Sequence, residues 1–204
     1  AIRGTSNEDV SITSSGTVDA QAIGNAHEIE TVEITGGTIE LNGDITTDGD
    51  GDVTLTGPVQ LGAGITIDTS SIDGKGSGDG GNVRFTNKID SVSGATNALT
   101  ITTKAGTVQV DNIIGSTDAL GALTINNNAG DTGSITLNGI GDGSPAAGAA
   151  ATLIGGAGTV GMTLNGEFYD TAAATYQVAS GTIDVARGSD GTTDFGLNNA
   201  AISF

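Results

Sequence analysis

The sequence predicts an all-β chain wound as a parallel β-helix, or β-solenoid, of about nine short coils. Three observations point there. Apolar–polar–apolar triplets run from end to end, turn-forming residues separate them, and the triplets recur in units of about 20–30 residues. An antiparallel β-sandwich is the alternative fold for short strands of this kind. Against it, most neighbouring triplets lack the two-residue spacing of a hairpin, and the near-repeats ask for parallel stacking.

The triplets, in order, begin with Val10-Ser11-Ile12, Val32-Glu33-Ile34, Ile39-Glu40-Leu41, Val53-Thr54-Leu55 and Val59-Gln60-Leu61. They continue with Ile65-Thr66-Ile67, Val83-Arg84-Phe85, Leu99-Thr100-Ile101, Val108-Gln109-Val110 and Leu123-Thr124-Ile125. The last are Ile135-Thr136-Leu137, Met162-Thr163-Leu164, Tyr176-Gln177-Val178, Ile183-Asp184-Val185 and Ile202-Ser203-Phe204. Period-2 alternation sends the first and third side chains inward and the middle one outward. Gly36-Gly37, Asn42-Gly43, Gly57-Pro58, Gly80-Gly81 and Asn138-Gly139 mark the turns. A three-residue strand cannot bury its apolar face alone, but stacked coils pair each strand above and below. The segments TVEITGGTIEL (Thr31–Leu41) and DVTLTGPVQL (Asp52–Leu61) show the repeat best, and Asp73 to Gly81 reads as a loop bulging from one corner. The alanine-rich pieces Ala146 to Thr152 and Thr171 to Thr175 are the helix candidates, with loops as the other reading; Gly148 weakens the first. Residues 1–204 read as one solenoid block, less regular from about residue 141 onward.

Composition narrows the classes. The chain has 35 glycines without a Gly-X-Y period, which excludes collagen, and 3% aromatics with no Trp. Its core must be built from Val, Ile, Leu and Ala, which suits thin stacked layers. The formal charge of −18 comes from 24 acidic and 6 basic residues. That field disfavours nucleic acid and anionic membrane and suits cations and saline surroundings. No run of eighteen apolar residues offers a membrane-spanning helix, so membrane insertion is not expected. The chain opens at Ala1 without a leader pattern, which reads as a mature or an excised form.

Catalytic constellations are hard to assemble. The basic residues Arg3, Lys75, Arg84, Lys88, Lys104 and Arg187 are scattered, though Arg84 and Lys88 share one predicted coil. His27 is the only histidine and cysteine is absent, so neither a His-based zinc site nor a serine triad is expected. No Asp-Asp or Gly-His-Gly of a polysaccharide hydrolase is present. The segment most suggestive of chemistry is DITTDGDGD (Asp44–Asp52). There Asp48, Asp50 and Asp52 alternate as candidate calcium ligands, because hard cations gather carboxylate and carbonyl oxygens. It is not an EF-hand: counted from Asp48, position six is Val53 and position twelve is Val59. An acidic, solvated loop is the other reading. Asp73, Asp79, Asp142, Asp190 and Asp194 sit in similar glycine-flanked turns, where Asp serves backbone geometry as readily as metal.

Segments 31–41, 52–61, 82–89, 98–110 and 122–137, with ATYQVASGTIDV at 174–185, resemble the β-strand repeats of filamentous-haemagglutinin-like bacterial surface proteins. The resemblance lies in repeat style, low aromatic content and acidic charge, and covers nearly the whole chain. It implies secretion, a right-handed parallel β-helix, and a role in adhesion or in cell-surface and matrix structure. The functional expectation is therefore a non-enzymatic extracellular protein: a rod-like segment of a cell-surface adhesin, or a subunit of an extracellular fibre. Its expected partners are copies of itself stacked end to end, or the continuation of a longer rod, with a cell-surface glycan or protein receptor. A β-helix polysaccharide-active enzyme and a calcium-binding surface-layer module are the alternatives. No organic cofactor is expected, and calcium is the one candidate ligand.

Overall fold

A computed structural model describes residues 1–5, 8–24, 29–70, 80–144, 147–185 and 202–203. The chain winds in successive rungs. The first holds β1 (Glu8–Thr13) and β2 (Thr17–Ala20); the second β3 (Ile29–Thr35), β4 (Thr38–Leu41) and β5 (Ile45–Thr46). The third holds β6 (Val53–Thr56), β7 (Val59–Leu61) and β8 (Ile65–Asp68); the fourth β9 (Val83–Phe85), β10 (Ile89–Ser91) and β11 (Leu99–Thr102). Then come β12 (Val108–Val110) with β13 (Leu120–Ile125), and β14 (Ile135–Leu137) with β15 (Ala149–Gly155). The last two rungs hold β16 (Met162–Leu164) with β17 (Ala174–Gln177), and β18 (Ile183–Val185) with β19 (Ile202–Ser203).

These rungs stack into three faces. The first face is the eight-stranded sheet β1-β3-β6-β9-β12-β14-β16-β18. The second is β2-β4-β7-β10, continued below by the single parallel bridges Ile89–Ile114, Ile114–Ile140 and Ile140–Tyr169. The third is β5-β8-β11-β13-β15-β17-β19. Every ladder among the described residues is parallel, and none of those residues is helical, so the fold is a β-solenoid and not an antiparallel sandwich. Each of the fifteen triplets overlaps a strand.

The coil count differs from the expected nine. The solenoid makes about seven turns. Successive steps down the first face, from Val10 to Ile183, are 22, 21, 30, 25, 27, 27 and 21 residues. A count based on the first two steps overestimates the turns, because later corners absorb insertions while the paired triplets keep their register. The stretch from Ala149 was expected as helix or loop and is instead strand β15. It pairs with β13 on one side and β17 on the other, and these two ladders outweigh the helix preference of alanine.

The core consists of aligned columns. On the third face Ile2, Ile23, Ile45, Ile67, Ile101, Ile125, Ile154 and Tyr176 lie in one register. On the second, Val18, Ile39, Val59, Ile89, Ile114, Ile140 and Tyr169 do the same. Nearly all are buried, and each full aliphatic burial contributes roughly 1.5–3 kcal/mol against chain entropy. In the seventh rung both columns switch to tyrosine. The two rings meet edge to face with centroids 6.3 Å apart, filling the interior with aromatic volume.

Candidate functional site

The three aspartates proposed as calcium ligands lie at the corner where the third face turns into the first, between β5 and β6. Thr47 leaves β5 pointing inward, and its buried Oγ1 donates to the Gly51 carbonyl at 2.7 Å. The Gly51 N–H donates to the Asp48 carbonyl at 2.7 Å, which closes the turn. Asp48 Oδ1 accepts from the Gly49 N–H at 2.8 Å, the local side-chain-to-backbone bond that favours Asp in turns. Asp50 is exposed. Asp52 Oδ1 accepts from both the backbone N–H and the side-chain Nδ2 of Asn82 in the rung below, at 2.7 and 3.0 Å. Asn82 Oδ1 in turn accepts from the N–H and Oγ1 of Thr107, at 2.9 and 2.8 Å.

The corner is thus two parallel polar ladders. Outside run Asp52, Asn82 and Thr107. Inside, the buried hydroxyls of Thr47, Thr69 and Thr103 donate to the carbonyls of Gly51, Gly81 and Gly106. Asn126 continues the inner ladder from a left-handed backbone (φ 46°): its Oδ1 accepts from Thr103 N–H and its Nδ2 donates to Thr103 Oγ1, both at 2.8 Å. Buried polar atoms that find partners in this way fix the corner geometry without leaving unsatisfied groups. The set can accept hydrogen bonds and neutralise backbone dipoles. A cation there would compete with Gly49 for Asp48 and with Asn82 for Asp52. Among the described residues, no three His, Asp or Glu side chains gather as a metal-holding group.

The other predicted residues fall apart in space. Arg84 lies on the outer side of β9 and donates through Nε and Nη2 to Asp111 Oδ2, at 2.9 and 2.7 Å. Lys88 lies before β10, with Nζ 2.8 Å from the buried Asp90 Oδ2 and 2.9 Å from Thr117 Oγ1. Each cation therefore has its own carboxylate, and the two do not converge. Asp142 Oδ1 accepts from the Ser144 N–H at 2.9 Å, serving its turn. His27, Lys75, Arg187, Asp73, Asp79, Asp190, Asp194 and most of the Asp73 to Gly81 loop lie outside the described residues.

Some polar groups went unmarked in the sequence. Asp19, on the outer side of β2, accepts from Asn42 Nδ2 and from Gln21 Nε2, and these bonds hold its carboxyl below the ordinary range. Asp170 is 6% exposed. Burial pushes its carboxyl up, against the Gly143 N–H that donates to Oδ2 at 2.7 Å, and the nearby Asp142 charge adds to the rise. Burial also pushes the Tyr176 phenol up to about 12, opposed by the neighbouring Thr152 side chain. The Tyr169 hydroxyl accepts from the Gly166 N–H at 2.9 Å and donates to the Leu137 carbonyl at 3.1 Å; burial pushes it upward too. The signal for these two was two tyrosines in a chain almost without aromatics.

Comparison with protein-family models, with curated proteins and with solved structures returns no match.

Proposed function

We propose that the chain is a non-enzymatic structural or adhesive rod of the extracellular or cell-surface space, acting as a segment of a longer adhesin or as a subunit of a fibre. One observation carries the reading. Along the first face, the inward side chains of the inner rungs, from Val32 and Ile34 to Met162 and Leu164, are no more than 2% exposed. In the bounding rungs the equivalent residues, Val10 and Ile12 above and Ile183 and Val185 below, are only partly buried. Among the described residues they present apolar side chains beside the outermost strands of the first face, in the parallel register of the stack. Such edges favour continuation, either by more chain or by a second copy. The acidic surface keeps the rod soluble in saline surroundings.

Negative-stain electron microscopy across a concentration series, with and without calcium, tests the reading. Uniform filaments one solenoid wide would identify a fibre subunit, and isolated short rods a segment of a larger adhesin. Calcium-dependent filaments would bring Asp48, Asp50 and Asp52 into the assembly. Compact particles with no rod shape would overturn the proposal.

A further inference from the structure

Three triplets end in the same step: Leu41-Asn42-Gly43 after β4, Leu137-Asn138-Gly139 after β14 and Leu164-Asn165-Gly166 after β16. Asn-Gly is open to intramolecular imide formation, because glycine has no Cβ to hinder attack of its nitrogen on the asparagine carboxamide. The local sequence is alike at all three, so the surroundings decide which one can react.

The last two are shut. Gly166 is buried, and its N–H donates to the buried Tyr169 hydroxyl at 2.9 Å. Gly139 is buried as well, and Gly166 of the next rung lies on it: a Cβ at Gly166 would be 2.5 Å from the Gly139 nitrogen. The Asn138 carboxamide is also tied to backbone, since its Nδ2 donates to the Asp111 carbonyl at 2.8 Å. Gly43 differs. It is partly exposed, and among the described residues its N–H has no hydrogen-bond partner. The Asn42 carboxamide is held by two side chains of the second face: Nδ2 donates to Asp19 Oδ1 and to Glu40 Oε1, both at 3.0 Å.

The fold needs both residues of this step. A Cβ at Gly43 would lie 2.8 Å from Ala22 Cα in the rung above, and closer still to its nitrogen. Asp19 and Glu40 face each other in register on neighbouring rungs, where like charges destabilise. The Asn42 amide bridges them, and it is the main cause that holds the Asp19 carboxyl below the ordinary range.

We propose that Asn42 is a site of spontaneous deamidation, at which the chain ages. The Gly43 nitrogen gives its proton to solvent base and attacks Asn42 Cγ. A C–N bond forms in a five-membered succinimide, the Cγ–Nδ2 bond breaks, and ammonia leaves. Water then opens the ring at either carbonyl and leaves aspartate or isoaspartate. The sum is carboxamide plus water to carboxylate plus ammonium, with no oxidant or reductant. The product sets a third carboxylate beside Asp19 and Glu40 in place of the donor they shared. Repulsion thus replaces the bridge between β2 and β4. The inference does not rest on the proposed adhesive role.

Incubation of the whole chain at about pH 8 and about 37 °C tests it, read by peptide mass mapping and by enzymatic methylation of isoaspartate. The same chain in concentrated urea is the reference, and there the three steps should react at similar rates. In the folded chain Asn42 should convert within a few-fold of its urea rate. Asn138 and Asn165, which react only when their rungs open, should lag by about tenfold or more. N42D, the aspartate product made directly, should lower the urea midpoint at low NaCl, and high NaCl should restore part of it by screening. If Asn42 lags in the folded chain as far as the other two, or if either of them converts as fast as Asn42, the proposal is overturned. An N42D chain with the wild-type midpoint at both salts overturns the weakening of the β2–β4 contact.

Discussion

Two glycine-to-alanine changes should have opposite effects. A Cβ at Gly106 would lie 2.6 Å from the Gly81 carbonyl carbon and 2.8 Å from the Gly80 oxygen, and closer still to the Gly81 oxygen. Ordinary contact begins near 3.4 Å, so the Gly81 peptide in the rung above must move by more than about 0.8 Å. That peptide is fixed on its other side, because its oxygen accepts from the buried Thr69 hydroxyl at 2.6 Å. Moving it spoils the geometry of this bond, at about 1–3 kcal/mol for a buried group left poorly paired. With the strain passed to the neighbouring ladder, G106A should destabilise by about 3 kcal/mol. At Gly64 no heavy atom lies within 4 Å of the added Cβ, and the backbone is not left-handed. G64A should therefore be neutral or stabilise by about 0.4–1 kcal/mol, by restricting the unfolded chain. Urea titration followed by far-UV circular dichroism compares the two, with equal slopes required before midpoints are converted to energies. Equal midpoints for G106A and G64A would refute the close stacking at this corner.

Ile34 is fully buried and Glu33 exposed, so I34D should cost several kcal/mol while E33T leaves the urea midpoint nearly unchanged. Equal mildness would mean that the inward and outward assignment is wrong. The core holds Tyr176 as a neutral phenol with its titration raised from 10.0 to about 12, so its contribution is intact below pH 10 and is lost as pH rises through 12. That is about 3 kcal/mol of alkaline destabilisation, which Y176F should reduce in a pH series of melting curves. Asp170 also has a raised folded-state titration, so its charged form opposes folding above that range. D170N should raise Tm at pH 7 and have no such effect at pH 3, where the carboxyl is neutral in folded and unfolded chain alike; a lower Tm at pH 7 would reject the burial argument.

The sequence by itself determined the strands and their sidedness. The triplet is a local signal: alternation decides which side chains face a core, whatever that core is. It also implied parallel stacking, because TVEITGGTIEL and DVTLTGPVQL differ little, and similar segments lie most simply one above another. What remained for the tertiary structure is non-local. Strand β15 is alanine-rich and became a strand only because β13 and β17 flank it. The coil count depended on corner insertions, which leave no trace in the triplets. The Thr–Gly ladder of the corner was hidden for the same reason. Thr47 bonds Gly51 four residues on, Thr69 bonds Gly81 twelve residues on, and Thr103 bonds Gly106 three residues on. No fixed spacing marks these pairs, because their partnership is set by position on the stacked coil. The acidic turn shows the division within one segment: its run of aspartates was visible in the sequence, but only the rung below showed that Asp52 is held by Asn82.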